Sequence, residues 1–172
     1  MQARIAEIFK SIQGEGIYHG VEQVFVRFFG CNLKCNFCDT PLTNYEELEN
    51  QELLNRISAF GNGYHSISLT GGEPLLQTDF LKELLPFIKS EGIKSYLETN
   101  GILYRQLSQI INNIDIVAMD FKLPSSTGMT CFWQEHENFL RIALKKEVFV
   151  KIVVLNSTTQ KEIGKSISLI RS

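Results

Sequence analysis

Three of the four cysteines in this chain, Cys31, Cys35 and Cys38, lie within eight residues and are spaced C-x3-C-x2-C. Thiolates are soft ligands that suit iron–sulfur clusters, copper(I) or zinc. A cubane cluster normally takes one thiolate for each iron, so three local thiolates leave one iron without a protein ligand. As with catalytic zinc, an open coordination position marks a metal centre that binds and changes a substrate.

A disulfide and a structural zinc site are the alternatives for this cysteine segment. An odd number of cysteines with no secretory signal before them argues against a disulfide framework. Structural zinc needs a fourth ligand. Cys131 or His19 could supply it, but neither forms the second ligand pair typical of such sites. A cluster is therefore the preferred interpretation, and a non-enzymatic zinc-binding module stays as the alternative.

Glycine and polar residues follow the apolar runs that predict strands. Thr70-Gly71-Gly72-Glu73-Pro74 ends one such run, and the next two end in Leu97-Glu98-Thr99-Asn100-Gly101 and Asp120-Phe121-Lys122. Paired glycines allow a ligand to approach the backbone closely. In parallel α/β folds, ligands bind at the carboxyl ends of the strands. These tips are therefore candidate binding segments.

Two further positions have both a structural and a functional interpretation. Arg27 interrupts the apolar strand 24–29, where it either points to the surface at a strand edge or enters a cavity and binds a carboxylate bidentately. Asp39 and Thr40 directly follow the last cysteine of the segment. They either form a simple turn or provide oxygen ligands for magnesium.

Strand and helix patterns alternate along the chain. Residues 45–60 are predicted to be helical from their apolar stripe, and helices are also predicted over 79–89, 104–111, 133–144 and 158–170. The strands are too apolar to be half-exposed, which indicates a mainly parallel sheet covered by helices. About five core strands exclude a closed eight-stranded barrel. The prediction is an α/β fold, a partial, open (β/α) barrel, in one domain over residues 1–172.

The composition of the chain argues against several classes of protein function. The chain is 44% hydrophobic and 21% charged, as expected for a globular protein, and its net charge of −2 does not favour nucleic-acid binding. Its apolar runs are shorter than the ~20 residues of a membrane span, and its first residues lack the apolar core of a signal peptide. The expected location is the reducing cytoplasm, without membrane or nucleic-acid partners.

The motifs together resemble a known family. The cysteine spacing and Phe37, the aromatic residue before the last cysteine, are similar to the signature of radical S-adenosylmethionine (SAM) enzymes. Within that superfamily the chain resembles the 7-carboxy-7-deazaguanine synthases over nearly its whole length. The motifs that carry this resemblance are Phe9-Lys10-Ser11-Ile12-Gln13-Gly14-Glu15-Gly16, Phe25-Val26-Arg27-Phe28-Phe29-Gly30-Cys31-Asn32-Leu33, Cys38-Asp39-Thr40, and the three strand tips, the last extended to Ser126.

The resemblance implies a specific radical reaction and its cofactors. A reduced [4Fe–4S] cluster would split SAM to a 5′-deoxyadenosyl radical, which abstracts hydrogen from C6 of 6-carboxy-5,6,7,8-tetrahydropterin. The ring contracts, ammonia leaves, and 7-carboxy-7-deazaguanine forms for queuosine and 7-deazapurine biosynthesis. The implied cofactors are the cluster, SAM and Mg²⁺. The implied electron donor is a flavodoxin or ferredoxin, and the implied assembly is a homodimer.

The same resemblance assigns roles residue by residue. The cluster ligands would be Cys31, Cys35 and Cys38, and Thr40 would be the Mg²⁺ ligand. SAM would be contacted by Phe37, Gly72, Asp120, Phe121 and Lys122, and the pterin by Ile12, Gln13, Gly14, Arg27 and Thr70. Glu98 and Asn100 are further candidates for these contacts, whereas Cys131 matches no motif and is expected to be a small apolar filler.

One departure from the family pattern concerns the end of the chain. Family members usually continue with another strand, a Gln-Pro-type segment and a further helix, so the domain is expected to lack that C-terminal strand and helix. Either the sequence is a fragment of a longer chain, or the missing wall of the pocket comes from elsewhere, such as a subunit partner. A glycyl-radical activase, which uses the same cysteine loop but lacks Gln13-Gly14-Glu15-Gly16, is the enzymatic alternative.

Overall fold

The computed structural model describes residues 1–40 and 42–171, which contain one seven-stranded sheet of order β3-β1-β2-β4-β5-β6-β7. The strands are β1 (Gln2–Ile12), β2 (Glu22–Phe28), β3 (Glu46–Glu49), β4 (Ser66–Gly71), β5 (Lys94–Thr99), β6 (Ile116–Phe121) and β7 (Glu147–Ile152). The strands from β2 through β4, β5 and β6 to β7 pair in parallel. The predicted partial barrel with a mainly parallel sheet is confirmed.

Helices connect the parallel strands. They are α1 (Asn50–Ser58), α2 (Thr78–Ser90), α3 (Tyr104–Ile110), α4 (Pro124–Thr127), α5 (Trp133–Ala143) and α6 (Gln160–Arg171), with 3-10 turns at Gly16–Tyr18, Pro74–Gln77 and Ile111–Asn113. In the described ranges, no helix is long and apolar enough to cross a membrane.

The prediction of a helix over residues 45–60 is wrong for the first part of this range. Residues Glu46–Glu49 form β3, which pairs antiparallel with the start of β1, and the helix begins only at Asn50. Leu48 is 2% exposed in this strand, so burial against β1 outweighs the weak helical preference of a Glu- and Leu-rich segment. β1 also pairs antiparallel with β2, which adds two antiparallel strands to the five parallel ones.

The two faces of the sheet differ in chemistry. Val24, Val26 and Phe28 of β2 are buried in the main core, which also contains the buried residues of α1, α2, α3, α5 and α6. Since side chains alternate along a strand, the residues between them lie on the opposite face. We call this face the inner face. It carries Gln23, Phe25 and Arg27 of β2, Ser66, Ser68 and Thr70 of β4, Tyr96 and Glu98 of β5, Ile116, Ala118 and Asp120 of β6, and Glu147, Phe149 and Lys151 of β7.

Candidate active site

The cysteine segment forms a loop directly after β2. Cys31 and Cys38 are exposed, Cys35 is partly buried, and all three are free thiols. Cys131 is also a free thiol, and because it is exposed, the expectation that it is a small apolar filler is wrong. Partial desolvation by the surrounding loop raises the pKa of Cys31 and of Cys35 above the ordinary thiol value, and the opposing effect of the nearby Lys122 ammonium is smaller. A metal centre would therefore have to displace protons from these thiols as it binds.

The loop is fixed by the tips of β4 and β5. A Cβ on Gly72 would meet the carbonyl oxygen of Gly30 at 2.0 Å, so only glycine fits where the two segments touch. The Asn100 side chain at the tip of β5 donates a hydrogen bond to Asn32 Oδ1 at 2.8 Å. These contacts bring the start of the loop against two of the predicted binding segments.

Glu73, the acidic residue of the Gly-Gly motif, is fully buried and points away from solvent. Its carboxylate accepts hydrogen bonds from the Thr99 hydroxyl and the Asn100 backbone N–H, at 2.8–3.0 Å. Burial raises the pKa of Glu73 to about 7, in spite of these hydrogen bonds. Glu73 therefore joins the tip of β4 to the tip of β5, and its carboxylate is not available to a ligand.

The tip of β6 approaches the other end of the loop. The Lys122 ammonium lies over the Phe37 ring, 5.2 Å from its centroid, and pairs with Asp120 at 2.9 Å. The backbone N–H of Asn36 donates to the carbonyl of Thr127 at 3.1 Å. The structure thus places Phe37, Asp120 and Lys122 together, as expected if they contact one ligand.

His136 of α5 supports this tip and was not predicted from the sequence. Its ring is buried and stacks on Phe121 with centroids 4.8 Å apart, and its Nε2 accepts a hydrogen bond from the Lys122 backbone N–H at 3.3 Å. Burial lowers the pKa of His136 to about 4, so the ring is neutral and can accept at neutral pH. A single histidine in an amphipathic helix gives no sequence signal for this role.

The donor set fits a cluster better than a single ion. Within residues 1–40 and 42–171, no three His, Cys, Asp or Glu side chains form a group that could hold one metal ion. Zinc held by the three loop cysteines and Cys131 would need all four sulfur atoms around one point. The thiolates of a cubane bind different irons, so they need not converge on one point. Three free thiols in an anchored, solvent-accessible loop satisfy this requirement.

The predicted pterin residues are only partly brought together. Arg27 and Thr70 are neighbours in register on the inner face, and the buried Gln13 side chain donates to Glu98 Oε1 of the same face at 3.0 Å. Ile12 pairs with Glu22 in the set of side chains that faces away from Arg27, so its side chain lies on the opposite face. Gly14 is exposed, with open space around it.

Arg27 lies away from the sheet edge, because β2 is flanked by β1 and β4. Its Nε is 3.3 Å from Glu7 Oε2, and its guanidinium lies 5.3 Å from the centroid of the Phe9 ring. Nε is buried and makes no hydrogen bond to any described residue. The guanidinium therefore keeps donors free for a ligand. Thr40 lies beyond the loop, where its hydroxyl donates to Asp39 Oδ1 at 3.0 Å.

The open sheet and the anchored three-cysteine loop at its carboxyl edge define a radical SAM domain. In agreement, the model of the family described as "Radical SAM superfamily" matches residues 25–170. The crystal structure of QueE from Escherichia coli has a similar fold, with a TM-score of 0.61 at 20% identity, covering 98% of this chain and 91% of that one.

Curated relatives define the family within this class. The 7-carboxy-7-deazaguanine synthase of Geobacter sulfurreducens is 40% identical, over 98% of this chain and 76% of that protein. The synthase of Archaeoglobus fulgidus is 36% identical, over 95% of this chain and 76% of its own length. The chain belongs to the 7-carboxy-7-deazaguanine synthase family.

Proposed function

We propose that this chain converts 6-carboxy-5,6,7,8-tetrahydropterin to 7-carboxy-7-deazaguanine with loss of ammonia, in queuosine and 7-deazapurine biosynthesis. The observation that carries the proposal is 40% identity to a named synthase over 98% of the chain. The geometry agrees, because the cysteine loop lies at the same sheet edge as Thr70, Asn100 and Lys122. A single radical SAM domain over residues 1–172 is part of the proposal.

The chain's own residues would bind and orient the reactants. Cys31, Cys35 and Cys38 would hold a [4Fe–4S] cluster. The bound cluster and SAM would supply the hydrogen abstraction at C6 of the pterin. Phe37 and the Asp120-Phe121-Lys122 tip would position SAM, with Gly72 offering its backbone. Four free cysteines suit a reducing compartment, and we place the protein in the cytoplasm.

On the substrate side, Arg27 would bind the pterin carboxylate. Gln13 and Thr70 would contact the ring on the inner face, whereas Ile12 and Gly14 would contribute only backbone groups. A flavodoxin or ferredoxin would supply the electron, and the expected assembly is a homodimer. Size-exclusion chromatography with light scattering tests that assembly.

Anaerobic incubation tests the reaction itself. The reconstituted protein with SAM, dithionite and the carboxytetrahydropterin is expected to form 7-carboxy-7-deazaguanine, detected by mass spectrometry. Labelled substrate should transfer its C6 hydrogen to 5′-deoxyadenosine. SAM cleavage without deazapurine would reject the synthase activity and favour a different acceptor, such as the partner protein of an activase. Zinc without sulfide in the purified protein would reject both enzymatic functions.

Magnesium is expected to raise the rate of product formation. Thr40 and the substrate carboxylate would share the ion, because both offer the oxygen ligands that Mg²⁺ prefers. Removing Mg²⁺ with a chelator should lower kcat/KM by about tenfold, and restoring Mg²⁺ should recover it. The Thr40→Ala variant should lose most of this response. An unchanged rate in chelated unmodified protein would remove Thr40 from the site.

A further inference from the structure

The segment that joins β1 to β2 reaches across the inner face to the last strand of the sheet. We call residues 13–20 the strap. Its Tyr18 hydroxyl donates to Glu147 Oε1 at 2.5 Å, and its Glu15 carboxylate lies 2.6 Å from the Lys151 ammonium. At Gly16 an added Cβ would lie 2.3 Å from the Phe149 ring, so the strap touches β7 closely. The strap also carries Gln13, one of the predicted pterin contacts.

Lys151 of β7 is the centre of a charged cluster beneath this strap. Its ammonium faces carboxylates from three different elements, Glu15 of the strap at 2.6 Å, Glu98 of β5 at 3.4 Å and Asp120 of β6 at 3.5 Å. The lysine side chain is only 16% exposed. Burial disfavours its charge, but Asp120 and Glu98 more than offset this, and the pKa of Lys151 is raised above its ordinary value.

The two Glu98 oxygens connect this cluster to the predicted pterin face. Oε1 accepts hydrogen bonds from Gln13 Nε2 and from the Ser68 hydroxyl, each at 3.0 Å, while Oε2 faces Lys151. Asp120 is likewise shared, since Lys122 lies 2.9 Å from its other oxygen. The Lys151 ammonium donates hydrogen bonds to Glu15 and Glu98 and faces Asp120 at 3.5 Å, so its charge is directed at the protein's own carboxylates. The role of Lys151 is therefore to hold these carboxylates in place.

We propose that Lys151 is a positioning residue for the pterin, whose ammonium keeps Glu15, Glu98 and Asp120 together and so fixes the Gln13–Glu98 pair against the substrate. The inference rests on the proposed function of this same site. Without Lys151, the three carboxylates lose their common cation and repel one another, and of the three only Asp120 keeps a cationic partner among the described residues, Lys122. Glu98 and the strap then lose their fixed positions on the substrate side.

The Lys151→Met variant, which keeps the aliphatic stem and removes the charge, tests this inference. We expect its KM for the carboxytetrahydropterin to rise roughly tenfold or more, with kcat changed less than about threefold, because ground-state positioning is lost. The dissociation constant of the pterin, measured anaerobically by calorimetry with SAM but without reductant, should rise by a similar factor. Lys151→Arg keeps the charge and should restore both values to within about threefold.

Two control variants separate positioning from simple tethering of the strap. Tyr18→Phe removes the other strap-to-β7 hydrogen bond but leaves the charged cluster intact, and should change KM less than about threefold. Lys82→Met removes an exposed lysine of α2 that pairs with Asp79 at 2.7 Å, and should change nothing. A KM increase in Tyr18→Phe as large as in Lys151→Met would overturn the proposal, since tethering alone would explain both.

The exposed Glu15→Gln variant keeps the test decisive if Lys151→Met fails to fold. It removes the charge of the closest carboxylate and should raise KM by more than about threefold, which is above the change expected for Tyr18→Phe. Where Lys151→Met folds, the effects of the two substitutions in the double variant should be less than multiplicative. If the unmodified protein makes deazapurine, either of two results would overturn this inference but not the proposed function. One is a double variant in which the two KM increases multiply, and the other is an unchanged KM in Lys151→Met. An unmodified protein that makes no deazapurine would overturn the proposed function, and the inference with it.

Discussion

Replacing Cys35 with alanine is expected to abolish cluster assembly and, with it, SAM cleavage. Cys35 is the middle cysteine of the loop, and the backbone N–H of its neighbour Asn36 is hydrogen-bonded to the Thr127 carbonyl. Removing one of three thiolates leaves a second iron without a protein ligand. We expect 5′-deoxyadenosine formation to fall below about a thousandth of the rate of the unmodified protein, because the reaction has no efficient route without the enzyme.

Iron and sulfide analysis, with electron paramagnetic resonance of the reduced protein, measures this loss directly. Cys131→Ala is the matched control, since Cys131 is also an exposed free cysteine but lies outside the loop. It should retain full iron, sulfide and activity. A Cys35→Ala protein that keeps the iron, sulfide and spectrum of the unmodified protein would show that the cluster has other ligands.

Arg27→Ala is expected to lower deazapurine formation strongly while uncoupled SAM cleavage stays measurable. Its guanidinium has donors free on the inner face beside Thr70, and a bidentate contact with the substrate carboxylate is strong when partly buried. Losing such a contact costs about 2–5 kcal/mol, so kcat/KM for the pterin should fall by roughly thirtyfold to several thousandfold. The cysteine loop is untouched, and SAM alone should still be cleaved.

Two further variants, one at the same position and one at an exposed arginine, are the controls for Arg27→Ala. Arg27→Lys keeps the charge but cannot form the two parallel hydrogen bonds, so it should rescue only a small part of the activity. Arg56→Ala removes an exposed arginine of α1 that pairs with Glu46 and Glu52, and should leave turnover unchanged. Mass spectrometry quantifies deazapurine and 5′-deoxyadenosine in each sample. Product at the unmodified rate in Arg27→Ala would rule out the carboxylate role.

Local pattern was sufficient for most of the fold. The parallel strands and their helices could be predicted because apolar periodicity reflects burial on one face or one stripe, and that burial depends on near neighbours. β3 was missed for the opposite reason, since four residues with one buried leucine form a strand only because β1 lies beside them. Context far along the chain overrides such weak local preferences.

The sequence by itself determined the chemistry that the cysteine loop can support, because C-x3-C-x2-C places its three thiolates in one short segment whatever the fold around it. It also indicated the strand tips, since the carboxyl ends of parallel strands meet at one edge. Only the tertiary structure decided that the buried Glu73 joins two strand tips, that Ile12 faces away from Arg27, and that Lys151 pairs with three carboxylates. Lys151 and Glu15 are 136 residues apart in the chain and meet because the strap crosses to β7. Contacts between such distant residues leave no periodicity or spacing in a single sequence.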